Sequence, residues 1–497
     1  METSDELAGT SRRQAGHELG SEITATEARI IDIVNDGSVS SFHKQLITDI
    51  VKDGCTASSP KQLQKVPREL REKEKNKGFF DPRVISIGPY HHGNPKLKEA
   101  EKLKTRAVCG FVAGNKVEPH VIYKKMLDVV SDARNCYLEG STGAYDDEKF
   151  AGMMLLDACF ILHFIFAVLS DYRPFISQVI RNVGKVGYRA IMEDISLMEN
   201  QLPFLVLQAL ISTTSTDVQH NWVGLIEDFI AVIYIGDYNT MGREQTYKDE
   251  IKQPLHFLDL IRRRFIGQYS QSDEEERSSM TKVLHQVQPR PRFPCWPKRG
   301  HMKIKPVKDL FGHSFRSATE LKARGIHFRP STTFLFNDFT FTSWFGYGRL
   351  TLPQLTFWPG IKYWLLNMIA YELAPTSDTM LPKVCNYIYF MNSLINGTED
   401  VIELRSHNII HNFYGTDEEV AKAFNSIATD CAYLLAWGPI KGVRDGIQKH
   451  YDSKMRTWIA QLLHTYFNTP WSALAFFAAT FALAMTVIKT FFPSFRN

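Results

Sequence analysis

WSALAFFAATFALAMTVI, residues 471–488, runs for eighteen residues without a charged side chain. Coiled as an α-helix it would measure about 27 Å at 1.5 Å per residue, close to the ~30 Å hydrocarbon thickness of a bilayer. Trp471 suits one interface, and Phe491, Phe492 and Pro493 suit the other, with Phe476, Phe477, Phe481 and Ile488 between them. Pro470 is tolerable in a first helical turn, and Lys489 can snorkel toward headgroups, so the span extends over 471–492. The competing use of such a segment is a core helix. A helix apolar on every face needs protein on every side, which a terminal segment rarely finds. One transmembrane helix is expected here, followed by a short tail, 493–497. Ala475, Ala478, Ala479 and Ala482 share a small-residue face on it through which two copies could pair as a homodimer.

Upstream of this helix the chain has the composition of a globular protein. It has 497 residues, 44% hydrophobic and 23% charged, which excludes a disordered or fibrous chain. Net charge is 58 − 54 = +4, too small to point to nucleic acid, so no nucleic-acid partner is expected. The seven cysteines are scattered, odd in number and never spaced as CxxC, which argues against a disulfide scaffold or a zinc site. Residues 1–24 are polar, carry acids within the first six positions and lack an apolar h-region, so they read as a disordered extension and not as a signal peptide. The expected layout is a tail anchor: a cytosolic globular part with nine residues, Lys489–Asn497, beyond the uncharged run. Flanking charge does not orient the helix, because Lys454 and Arg456 on one side balance Lys489 and Arg496 on the other. The sequon Asn396-Gly397-Thr398 discriminates, since Asn396 can carry glycan only if the large domain is lumenal or extracellular.

The coarse pattern is mainly α with a small antiparallel β element. Apolar spacing predicts two short helices over 24–53, then helices over 96–139, 150–169, 189–213, 219–236 and 251–266. A short strand is expected at Val84–Ile87. Residues 268–308 read as a polar, proline-rich linker separating a helical part, 25–267, from an α+β part, 309–467. Alternating Thr and Phe over 331–357, with a turn at Gly346-Tyr347-Gly348, predict the β element. Helices are expected at 360–373, 383–395 and 417–430, and an amphipathic one at 449–467 leads into the span.

Several blocks then follow one another in register: KVPRELREKEKNKGFFDPRVISIGPYHHG (65–93), MMLLDACFILHF (153–164), DISLMENQLPFLVL (194–207), ATELKARGIHF (318–328), YFMNSLINGTEDVIEL (389–404) and GTDEEVAKAFNSI (415–427). Together they resemble the plant family known as domain of unknown function 247, the UPF0481 proteins, over roughly residues 25–492. Asn392, Ser393 and Phe413 depart from the family's usual residues. The resemblance implies membrane association and leaves the biochemistry open. For some grass members it implies a role as pollen determinants of self-incompatibility, which would place the large domain outside the cell.

Candidate chemistry is sparse. No nucleophile elbow, phosphate-binding loop or dinucleotide fingerprint occurs, and no cofactor is expected. His91-His92, in a Gly-Pro-rich turn, could ligate a metal or act as a base, but adjacent side chains rarely converge on one ion, and a turn with imidazoles bonded to backbone is the plainer account. Asp157 and His163, six residues apart on an apolar helix, point about 120° apart and cannot form a dyad. A buried Asp157 needs a partner, with Arg68, Arg71, Lys104 and Arg106 as candidates. Asp194 and Glu199 could be a catalytic pair, whereas with Asn200 and Gln201 they could instead cap the helix that follows Pro203. Two basic stretches could meet anionic headgroups: residues 61–106, with 13 cations against 6 acids, and residues 289–308, where Arg290, Arg292, Lys298, Arg299, Lys303 and Lys305 are the best candidates. The expected function is a non-enzymatic, single-pass membrane protein that presents an interaction surface to an unidentified protein partner. The alternatives are an extracellular self-incompatibility determinant and a membrane-attached hydrolase using His91/His92 or Asp194/Glu199.

Overall fold

A computed structural model describes residues 62–235, 254–267, 316–344, 347–375, 382–431, 439–452 and 470–491. The helices expected over 24–53, the stretch 268–308 with its six candidate headgroup residues, and the tail 493–497 lie outside the described residues.

The core is organised by a helix whose sequence has no polar face. Helix α5 (Asp147–Leu169) starts at Asp146, whose side chain accepts from the Lys149 amide, and continues through MMLLDACFILHFIF. Around it pack α2 (Lys98–Asn115), α3 (Pro119–Asp128), α4 (Val130–Asn135), α6 (Arg173–Asp194), α7 (Phe204–Ile211) and α8 (Thr216–Ile230). Its length and apolarity would let it cross a bilayer, but most of its side chains are buried inside the protein. Gly110 of α2 lies beneath the His163 ring, where an added Cβ would sit 2.5 Å from the imidazole, so glycine sets how closely α2 and α5 cross.

The second half continues the same hydrophobic core. Helix α9 (Phe257–Ile266) places Phe265 4.7 Å from Trp364 of α11 (Ile361–Leu373) and 5.2 Å from Phe336. Helix α12 (Lys383–Leu394) stacks Tyr387 on Phe336 at 4.1 Å. Helix α10 (Ala318–Ala323) and α13 (Thr398–Ser406) pack together, and α14 (Asp417–Ala428) rests on α11, α12 and α13. A capping box between Thr416 and Glu419 starts α14.

The β element differs from the antiparallel piece expected. β1 (Ile326–Pro330) pairs in parallel with β3 (Tyr347–Leu352), and β3 pairs antiparallel with β2 (Thr340–Trp344), so the order is β1-β3-β2. A second, two-stranded sheet is wholly parallel, joining β4 (Leu355–Phe357) to β5 (Ile410–Asn412). Alternation sets which residues share a face, but it cannot say that β3 inserts between two earlier strands. Tyr347 and Gly348, expected in the turn, already belong to β3. No strand forms at Val84–Ile87. Helix α15 (Pro439–Tyr451) begins ten residues earlier than the amphipathic helix expected from 449, and residues 453–469 are outside the described ones. Helix α16 (Pro470–Phe491) covers the apolar C-terminal stretch.

Candidate functional site

Residues 62–93 cross the core with little regular structure apart from α1 (Arg68–Arg71) and a short 3-10 turn. Buried amides need acceptors, and this segment finds them on side chains far away in sequence. Both oxygens of Asp194 take amides: Oδ2 accepts from Val84 at 2.8 Å and Ile85 at 3.0 Å, and Oδ1 accepts from Arg83 at 3.0 Å. Asn200 Oδ1 accepts from Ile87 at 2.6 Å, Asp157 Oδ2 from Gly88 at 2.8 Å, and Glu199 Oε1 from Val66 at 2.7 Å. Asn367 of α11 donates to Phe79 O and accepts from the Met198 amide, bridging the segment and the 194–201 loop. This explains the missing strand, because Val84–Ile87 pair with side chains and not with a neighbouring backbone.

The 194–201 loop does not cap the helix after Pro203. The Phe204 amide goes to Leu255 O, while Gln201 Oε1 takes the Leu258 amide in the first turn of α9. Asp194 and Glu199 therefore serve different stretches of chain. Burial pushes the Asp194 carboxyl up to about 6, against the pull of its three amides.

His91 and Glu199, 108 positions apart, are brought together: His91 Nε2 lies 3.8 Å from Glu199 Oε2, which also sits 2.8 Å from Arg71 Nη2. The acid that the histidine turn lacked locally thus arrives from the loop. Burial lowers the pKa of His91, which keeps the imidazole neutral. His92 turns the other way, edge-on to Tyr145 at 5.6 Å. The arrangement offers a neutral base beside a carboxylate already engaged by a guanidinium and an amide. Among the described residues, no three His, Cys, Asp or Glu side chains converge to hold a metal ion.

Five cations of the basic stretch 61–106 are engaged by acids of the protein itself. Lys104 pairs with Asp157 at 2.6 Å and Glu101 at 2.7 Å, Lys73 and Lys75 pair with Asp430 of the α14 end at 2.6 and 3.0 Å, Arg71 pairs with Asp81 and Glu199, and Arg83 pairs with Glu193. Burying Asp157, Glu193, Glu199 and Asp430 requires cations, and the stretch supplies them. Of the four partners considered for Asp157, Lys104 is the one in place. His163 meets the rings of Phe175 and Tyr172 instead.

Local reading missed Asn367, Glu372 and Asp430. Each is buried in an apolar setting, and Asn367 within KYWLLNMIAY carries the same signal that flagged Asp157. Glu372 forms a buried pair with Arg262 at 2.7 Å and accepts the Cys385 amide at the start of α12. Asn396 is exposed just ahead of α13. On α16, every residue from Leu474 to Ile488 is exposed, including Phe476, Phe477, Phe481 and the alanine face Ala475, Ala478, Ala479 and Ala482.

Two relatives from Arabidopsis thaliana are similar along most of their length. The UPF0481 protein At3g47200 is 28% identical over 421 residues, covering 84% of this chain and 83% of the relative. A second UPF0481 protein, At3g02645, is 24% identical over 478 residues, covering 83% and 86%. No solved structure matches the chain. The DUF247 family, described as plant proteins of unknown function, matches residues 63–485, a range that takes in the clamped segment, the helical core and both sheets; the chain belongs to that family.

Proposed function

We propose that the chain is a single-pass membrane protein held by α16, with a helical domain that presents an interaction surface and catalyses no reaction. The contrast between its long apolar helix, α5, and the shorter apolar stretch Leu474–Ile488 of α16 carries this proposal. Helix α5 hides its side chains in the protein, whereas α16 exposes all of Leu474–Ile488, including Phe477 and Phe481 at 68% each and Leu483 at 70%. Water is a poor solvent for such a surface, at roughly 25 cal/mol per Å², and a bilayer is a good one. The 22 residues of α16 span about 33 Å, enough for a hydrocarbon core. On the domain side, Asp194, Glu199, Asn200 and Asp157 are occupied in holding the 62–93 segment, which leaves the polar cluster a structural task.

The domain is proposed to be cytosolic, as its five described cysteines are free thiols. The test is membrane fractionation of the full chain beside a chain truncated before Trp471. Full-length protein should resist alkaline carbonate and yield to detergent, and the truncated one should be soluble with an unchanged melting temperature. Recovery of the full chain as a detergent-free monomer in the supernatant would end the proposal. A mobility shift on glycosidase treatment, traced to Asn396, would reverse the topology and favour the extracellular recognition role.

A further inference from the structure

We infer that the tip of the β2–β3 hairpin, carrying Trp344 and Tyr347, is a second membrane contact that rests in the interface of an anionic bilayer; this builds on the proposed anchoring through α16. Trp344 is 75% exposed and Tyr347 is 42% exposed, and the two are the last register pair of the hairpin. They share the outer face of the sheet with the exposed residues His327, Arg329 and Arg349. The His327 ring stacks on Tyr347 at 4.7 Å, and the Arg349 guanidinium lies 6.0 Å from the same ring. Aromatic rings with a polar edge beside guanidinium groups suit the headgroup layer, where Trp and Tyr collect and each nearby cation gains from anionic lipid.

What commits this surface to a membrane is where the chain leaves the domain. Helix α15 runs alongside β2 in the same direction: Gly446 is packed on the Phe341 ring, and one turn later His450 Nδ1 is 2.8 Å from Ser343 Oγ. His450 Nε2 also meets Arg324 O at 3.2 Å, and Tyr451 lies under the guanidinium groups of Arg316 and Arg324. The last turn of α15 is thereby bolted to the residue pair Ser343–Gly348, one step short of Trp344–Tyr347. The last described residues before the apolar helix thus end beside the strand ends that carry the aromatic pair, on the opposite face of the sheet. The apolar helix begins 470 − 452 = 18 residues later, a tether of at most ~60 Å even if fully extended.

The experiment places the full chain in nanodiscs of phosphatidylcholine alone, or with phosphatidylserine, and compares wild type with Trp344→Phe. Quenching of tryptophan fluorescence by lipids brominated near the headgroup should fall in the variant by the Trp344 share, with the larger loss in anionic discs. Hydrogen exchange of residues 340–349 should be slower in discs than in detergent, a readout that needs no substitution. Equal quenching in the two proteins after normal incorporation, or protection that appears in detergent and grows with protein concentration, would overturn the inference, the latter by assigning the tip to a second copy. Failure of the wild type to enter discs at all would instead refute the anchoring by α16.

Discussion

Lys104 Nζ lies 2.6 Å from Asp157 Oδ1, with both side chains 1% exposed, and this one pair ties helix α2 to the central helix α5. Burial pushes the Asp157 carboxyl up and opposes the Lys104 charge, yet the Asp157 and Glu101 carboxylates hold the lysine above its ordinary value. Removing one member leaves the other charge buried without its partner, a change that costs ~3–5 kcal/mol. Lys104→Met should lose that much in denaturant unfolding. Lys104→Met/Asp157→Asn should lose less than the sum of the two single changes, because neither charge is then left buried alone. A loss under ~1 kcal/mol for Lys104→Met would mean that water reaches the pair.

Asp194 is the single acceptor for three successive amides, those of Arg83, Val84 and Ile85. A buried amide left without an acceptor costs ~1–3 kcal/mol, and here the Ile85 amide is buried and the other two are partly buried, so Asp194→Ala should destabilise by about 2 kcal/mol or more. Asp194→Asn, with one acceptor oxygen remaining, should fall between wild type and Ala in a thermal melt. If Asp194 were instead a catalytic acid, Ala and Asn would both keep the wild-type melting temperature.

These two sites also mark the reach of sequence reading. Asp157 needed a cation because a charge sat in an apolar helix, and the basic stretch upstream offered four; burial logic shortened the search to residues that included the right one. Val84–Ile87 misled, because apolar alternation says a segment is extended and buried but not whether its amides face a strand or a carboxylate 110 positions away. The same gap hid the order β1-β3-β2, which depends on pairing across sequence and not on period. Helix α13, with TEDVIELRS, lacks a strong apolar stripe, and its place comes from Asp400 accepting the Asn396, Gly397 and Thr319 amides. The His91–Glu199 approach was likewise invisible, since nothing local to the histidines points to residue 199.

Gly88 and Gly93 both adopt a left-handed backbone, at φ +72° and +79°, but only Gly88 is crowded. A Cβ on Gly88 would sit 2.6 Å from Gln201 O and 2.9 Å from the Tyr137 hydroxyl, whereas one on Gly93 meets nothing within 4 Å. Gly93→Ala should therefore cost only the left-handed penalty, ~1–2 kcal/mol. Gly88→Ala adds overpacking against a backbone carbonyl and should cost ~2–5 kcal/mol in all, read from the same unfolding curves. Equal losses would show that the clamp around Gly88 relaxes.

His256 gives the fold a pH dependence with a definite sign. Its Nδ1 accepts the Asp259 amide at 3.2 Å as the N-cap of α9, its ring lies edge-on to Tyr371 at 5.0 Å, and burial lowers its pKa from 6.5 to about 4 despite the Asp259 carboxylate. An unfolded chain takes up this proton near pH 6.5, while the folded one resists until about pH 4, because protonating Nδ1 would abolish the cap. The folded value is depressed, so the stability contribution is intact above pH 6.5 and is lost as pH falls toward 4. At ~1.4 kcal/mol per unit the loss amounts to roughly 3 kcal/mol. His256→Asn should keep a capping oxygen and remove this proton uptake. Unfolding free energies measured at pH 7 and pH 4.5 should then differ less in the variant than in the wild type; an unchanged difference would assign the acid sensitivity to other groups.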